Sequence, residues 1–202
     1  MPKNTTVAWD LTDLFENTKD PGIDQSLDDA LARARKFAKR YRGKIVSPDL
    51  TAQTLLKAIR DYESLVQEMA KPINYASLAF SADTTKHEHG ALLQHVQERQ
   101  TQIALELMFF DLELMAADPR TIDPLVADEA LSPYRHFIHA ARLFSEHRLS
   151  EPEERILEEK ANTGGRAFER LFEESVSAIE FRIVLDGEEK VLSEPEVIAL
   201  MR

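Results

Sequence analysis

The stretch "LSEPEERILEEKANTGGRAFERLFEESVSAIEFRIVLDGEEKVLSEPEVIAL", residues 149–200, decides the fold class because helix and strand signals meet inside it. It holds two helix starts of one kind. Ser150 with Glu153, and Ser193 with Glu196, each form a capping box, in which hydroxyl and carboxylate satisfy orphan N–H groups of a first turn reciprocally. Pro152 and Pro195 sit in those first turns, where a missing N–H is tolerated. The surrounding sequences differ, so these are independent starts and not an internal repeat. Between them Ile179, Phe181, Ile183 and Leu185 alternate with polar or smaller residues, and Asp186-Gly187 supplies a two-residue turn. That pattern predicts a β-hairpin over 177–192. A lone hairpin is marginal, so it must pack on helices or pair elsewhere.

Thr163, Gly164 and Gly165 interrupt the helix that begins at Ser150, since two glycines cost about 2 kcal/mol in a helix interior. Two readings stand. One is a hinge or a close backbone approach to a peptide. The other is a helix end followed by a new helix that carries Phe168, Leu171 and Phe172 into the core, because helical apolar spacing resumes at once.

Upstream the periodicity is helical throughout. An N-terminal arm (1–23) precedes a first helix from about Asp24 to Arg42, with Leu27, Leu31, Ala34, Phe37, Ala38 and Tyr41 on one stripe. The cations of "RARKFAKRYRGK" (Arg33 to Lys44) fall on the opposite side, which reads as a solvated basic face, and Gly43 is a stop signal. Asp49 offers the next start, with Leu55, Leu56, Ile59, Tyr62, Leu65, Val66 and Met69 at helical spacing, and Pro72 marks a break. The longest candidate runs from about Glu88 to Ala117, polar at first and strongly apolar in "IALELMFFDLELMAA". A further helix is expected in "LSPYRHFIHAARLF", with Ser132 as cap and Pro133 in first position. The fold class is therefore mainly α, a multi-helix domain with one β-hairpin near the C-terminal end.

"HEHGALLQH" (residues 87–95) looks like the core of a zinc peptidase but lacks the spacing. A His-Glu-x-x-His site needs imidazoles at i and i+4 on one helical face. Four positions after His87 stands Ala91; His89 points elsewhere, and His95 lies roughly 12 Å along the axis. His136 and His139 share a face but need ligands from other segments, and read as a polar pair at the core boundary. With His147, these six histidines contain no pair four apart with Glu following the first. Trp9 and Phe15 read as apolar anchors of the arm, with channel aromatics as the alternative.

The 202 residues suffice to bury a substantial core, and the absence of Cys excludes disulfides, thiolate metal sites and Cys nucleophiles. The N-terminus has no secretory h-region, and no apolar run reaches membrane-spanning length, so a soluble, cytoplasmic protein is expected. The net charge of −11 repels a phosphate backbone and argues against a nucleic-acid partner.

In chain order, "WDLTDLF", "YRGKI", "LMFFDLEL", "LSPYRHFIHAARLFSEHRLSEPEERILEEKANTGGRAFERLFEE" and "EFRIVLDGEEKVLSEPEV" resemble the N-terminal domain of the oligoendopeptidase F family, relatives of thimet oligopeptidase. The resemblance covers nearly all of residues 1–202: the arm 1–23, helices over 24–176, the hairpin 177–192, and 193–202 as the start of a helix leading towards an absent catalytic domain. It implies a zinc peptidase that cleaves short peptides in a channel, with the zinc held by a downstream His-Glu-x-x-His helix and a further Glu. None of those ligands has a counterpart here, so no catalytic, cofactor or metal residue is assigned in this chain, which alone should be inactive. The implied role is a non-catalytic wall of the substrate channel, partnered by its own C-terminal catalytic domain and short peptide substrates. A homodimer is expected when the chain is isolated, because faces meant for the missing part would be exposed. The alternative is a free-standing acidic helical module that binds a protein. An open frame continuing past Arg202 is expected on the first reading and a stop codon on the second.

Overall fold

The computed structural model describes residues 9–200. Its element order is α1 (Pro21–Tyr41), α2 (Ala52–Ala82), α3 (His87–Ala116), α4 (Pro119–Val126), a 3₁₀ turn (Glu129–Tyr134), α5 (Arg135–Leu143), a second 3₁₀ turn (Ser145–His147), α6 (Glu151–Ala161), α7 (Gly165–Ser177), β1 (Glu180–Leu185), β2 (Glu188–Ser193) and α8 (Glu194–Leu200). The protein is mainly helical with a single antiparallel hairpin near its C-terminal end, as the sequence pattern requires.

The first three helices form the core bundle. Asp20 accepts from the Gly22 N–H and Pro21 opens α1, which buries Ile23, Leu27, Ala30, Ala34, Phe37, Ala38 and Tyr41 at helical spacing. Gly43 ends the helix with φ 79°, a conformation that glycine adopts without penalty. Cross-links fix the directions: Arg33 bonds Glu68 and Arg40 faces Asp61, so α2 runs antiparallel to α1. Asp24 meets His95 and Arg35 meets Glu106, so α3 runs parallel to α1. An aromatic cluster sits at the centre, with Phe110 at 5.4 Å from Phe37 and 4.9 Å from Tyr62 between ring centroids.

Three sequence expectations are corrected. Pro72 does not break the second helix; α2 continues through it to Ala82. Its stripe goes on to bury Tyr75, Ala76, Ala79 and Phe80, which outweighs the backbone bond a proline forfeits. That helix also starts two residues beyond Asp49, at a Thr51 cap whose hydroxyl accepts from the Thr54 N–H. Ser132 does not cap the fifth helix either. Asp128 accepts from the Ala130 N–H and opens a 3₁₀ turn containing Pro133, and α5 begins only at Arg135.

The arm is held by Phe15, buried edge-on against Tyr75 with centroids 5.3 Å apart, whereas Trp9 is 62% exposed. Residues 1–8 of the arm lie outside the described residues. The cations of Arg33–Lys44 are less free than a basic face suggests, since Arg35 and Arg42 reach Glu106 and Glu151. In the hairpin, Asp186 and Gly187 have φ 52° and 83°, the two positive values of a tight type I′ turn, and Glu180 pairs with Ser193. The Ser150–Glu153 capping box forms, and at the second start Glu196 accepts from both the backbone N–H and the hydroxyl of Ser193.

Candidate functional site: a methionine-lined groove beside α3

A groove of about 340 Å³ opens where α2, α3 and α6 meet. Tyr62, Val66 and Met69 line it from α2, at i, i+4 and i+7, so they share one helical face. Ala104, Met108, Asp111 and Met115 line it from α3, likewise on one stripe. Glu154 and Glu158 close it from α6. Three of the chain's five methionines are thus gathered in one concavity.

Asp111 is the carboxylate set deepest among these apolar side chains. It accepts a hydrogen bond from the Tyr62 hydroxyl at 3.3 Å. Burial raises its pKa above the usual carboxylate range, only partly offset by that bond. Burial, and then the neighbouring Asp111 charge, push the Tyr62 hydroxyl up as well. A carboxyl whose pKa is raised on folding binds its proton more tightly in the native state, so stability falls as pH rises through that range. Asp111→Asn should therefore raise the melting temperature at pH 7, and the gain should vanish below pH 3.8, where Asp is protonated in both states. Thermal unfolding at the two pH values checks this.

On the other side of the groove, α6 and α7 lie antiparallel along α3 and dock through polar groups. Arg155 donates to the Leu105 carbonyl at 3.1 Å. Around half-buried Arg166 a network joins Glu158 at 2.8 Å, Asn162 at 3.0 Å and Thr101 at 3.2 Å. Arg170 donates to Gln94 at 3.1 Å one turn further on. The Thr163–Gly165 segment is the end of one helix and the start of the next; a Cβ on Gly164 would stand 3.0 Å from the Lys160 carbonyl. The expectation that Phe168, Leu171 and Phe172 enter the core is wrong. They are 69%, 56% and 68% exposed, because Arg166, Arg170 and Glu174 take the inward face of α7.

The histidines are dispersed. His87 is exposed at the start of α3, His89 Nδ1 lies 3.1 Å from the Asp83 carbonyl, and His95 pairs with Asp24. His136, His139 and His147 are exposed. Among the described residues no group of three or more His, Asp or Glu side chains is arranged to hold a metal ion, so the residues present do not fit the zinc that the resemblance implies elsewhere. No described helix is long and apolar enough to cross a membrane.

Sequence reasoning assigned no site residue and so missed the groove. Met69 was legible as part of an apolar stripe, and Met108 and Met115 stood in an apolar run. Nothing in the spacing separated these half-covered positions from core, because the groove exists only once α6 closes over α3.

The family model described as Oligopeptidase F matches residues 113–181. The oligoendopeptidase F homolog of Borreliella burgdorferi is 24% identical over 154 residues, covering 76% of this chain and 25% of that protein. The crystal structure of oligoendopeptidase-F from Enterococcus faecium superposes with a TM-score of 0.69 at 22% identity, over 86% of this chain and 34% of that one. The crystal structure of a putative peptidase from Chlamydophila abortus gives 0.54 at 22% identity, over 96% of this chain and 32% of that one. The chain thus spans about a quarter of the curated relative and about a third of each solved structure. The matched residues run from the end of α3 through the α6–α7 segment into β1, and the shared fold extends over most of the rest. Residues 113–181 match the Oligopeptidase F family model, and together with the curated relative and the shared fold this supports an N-terminal domain of the oligoendopeptidase F family.

Proposed function

We propose that this chain is the non-catalytic N-terminal portion of a metallo-oligoendopeptidase, and that its groove between α2, α3 and α6 is one wall of a channel admitting short peptides. The observation that carries the reading is the gathering of Met69, Met108 and Met115 in one open concavity. Thioether side chains are unbranched and polarisable, so they repack around varied apolar groups. Asp111 and Glu154 add negative charge that suits peptide amines. A surface of this kind orients and excludes without choosing one sequence, which is what a wall contributes to catalysis. Peptide-bond chemistry belongs to the further length that the relatives possess, and the zinc with it; no step of that chemistry runs through residues described here. On this reading 1–202 acts as one helical region, 193–202 leads towards the catalytic part, and the whole works in the cytoplasm. Kept apart from that partner, the chain forms a homodimer only weakly and at high concentration.

A free-standing acidic module that binds a protein would use the outward face of α7 and leave the groove idle. The two readings separate in a titration of short unstructured peptides followed at the methionine methyl groups.

A further inference from the structure

Helices α6 and α7 are amphipathic in the inverted sense. The faces turned to α3 carry Arg155, Glu158, Arg166 and Arg170, all bonded to it or to each other. The faces turned to solvent carry Ile156 and Leu157 on α6 and Phe168, Leu171 and Phe172 on α7, every one of them more than half exposed. Together they present on the order of 500 Å² of apolar surface, at the upper end of what a finished monomer leaves open. A helix gains by burying its apolar stripe, so one that turns that stripe outward, and anchors its polar side with specific bonds, is built to be covered.

The charges interleaved with this patch say what covers it. Glu153, Glu159, Glu169 and Glu173 are exposed around it, against Lys160. A second copy would bring the same carboxylates against these, and like charges across an interface oppose pairing. We infer that the outer face of α6 and α7 is a docking surface for a protein surface of apolar residues rimmed by lysine and arginine. The inference rests on the reading of the chain as part of a longer peptidase, whose remaining length is the source of such a surface, and it specifies the chemistry of that contact. The bonded inner side keeps both helices in place when the outer face is uncovered, so the site is preformed.

The test uses the full chain and three probes. The first is an amphipathic helical peptide with a leucine stripe rimmed by lysines. The second is the same peptide rimmed by glutamates, and the third has the lysines kept but the leucines scattered. Fluorescence anisotropy at low salt should show the first binding about tenfold or more tighter than either other. Phe168→Ser with Phe172→Ser should weaken that binding by about tenfold with an unchanged circular dichroism spectrum, since both side chains are exposed already. Equal binding of the glutamate-rimmed peptide, or of the scattered one, overturns the inference. So does undiminished binding by the double variant, or a dimer that persists at low micromolar concentration and dissolves in that variant. Light scattering reads the last. Because the groove methionines are followed separately, failure here leaves the channel-wall reading standing, and failure there leaves this one.

Discussion

Phe110→Ala should lower the stability of this protein by about 3–5 kcal/mol, the range for removing a large aromatic from a packed core. Phe110 is fully buried, and three rings surround it: Phe37 at 5.4 Å, Tyr62 at 4.9 Å and Phe109 at 6.5 Å. These belong to α1, α2 and α3, so the ring is where the bundle's three helices meet. Its loss removes buried area and leaves a cavity that three long helices cannot collapse into without shifting. In urea the midpoint should fall while the slope stays the same. Phe110→Leu, which keeps most of the volume, should cost less than half as much. Equal effects of the two substitutions would mean that the aromatic contacts, and not the volume, hold the junction.

Arg142→Ala should cost about 2–3 kcal/mol, the scale for hydrogen bonds made by a charged donor to groups that burial leaves with no other partner. Arg142 lies on α5 and sends Nη1 to the carbonyls of Leu114 at 3.3 Å and Ala117 at 2.8 Å. Those are the terminal carbonyls of α3, where helix geometry leaves acceptors unpaired and the helix dipole favours a cation. Leu114 and Ala117 are both buried, so water cannot readily replace the guanidinium. Arg142→Lys should recover part of the loss, since it retains the charge. Chemical denaturation of the three proteins measures the series.

Much of the architecture was legible because its signals are local. The Phe37 and Phe110 stripes repeat over many turns, both serine capping boxes announce their helices, and Asp186-Gly187 dictates its turn whatever surrounds it. Reading failed where tertiary packing overruled a local rule. Pro72 is a helix breaker by propensity, but it lies in a stripe whose burial on both sides holds the helix together. Phe168, Leu171 and Phe172 have the spacing of core residues, and spacing cannot say whether the core or a partner receives them. The deciding fact, Arg166 bonded to Thr101, joins residues far apart in sequence. For the same reason the groove was invisible: Asp111 and Tyr62 come from different helices, and Glu158 from a third.

The direct measurement is a methyl spectrum of the protein labelled at its methionines, recorded while short unstructured peptides are added and sampled in parallel for cleavage. The resonances of Met69, Met108 and Met115 should move together and saturably, an equal quantity of a folded protein should leave them in place, and the peptides should stay intact. Cleavage by the purified chain, or peptide binding that leaves those three signals unmoved, would contradict the account.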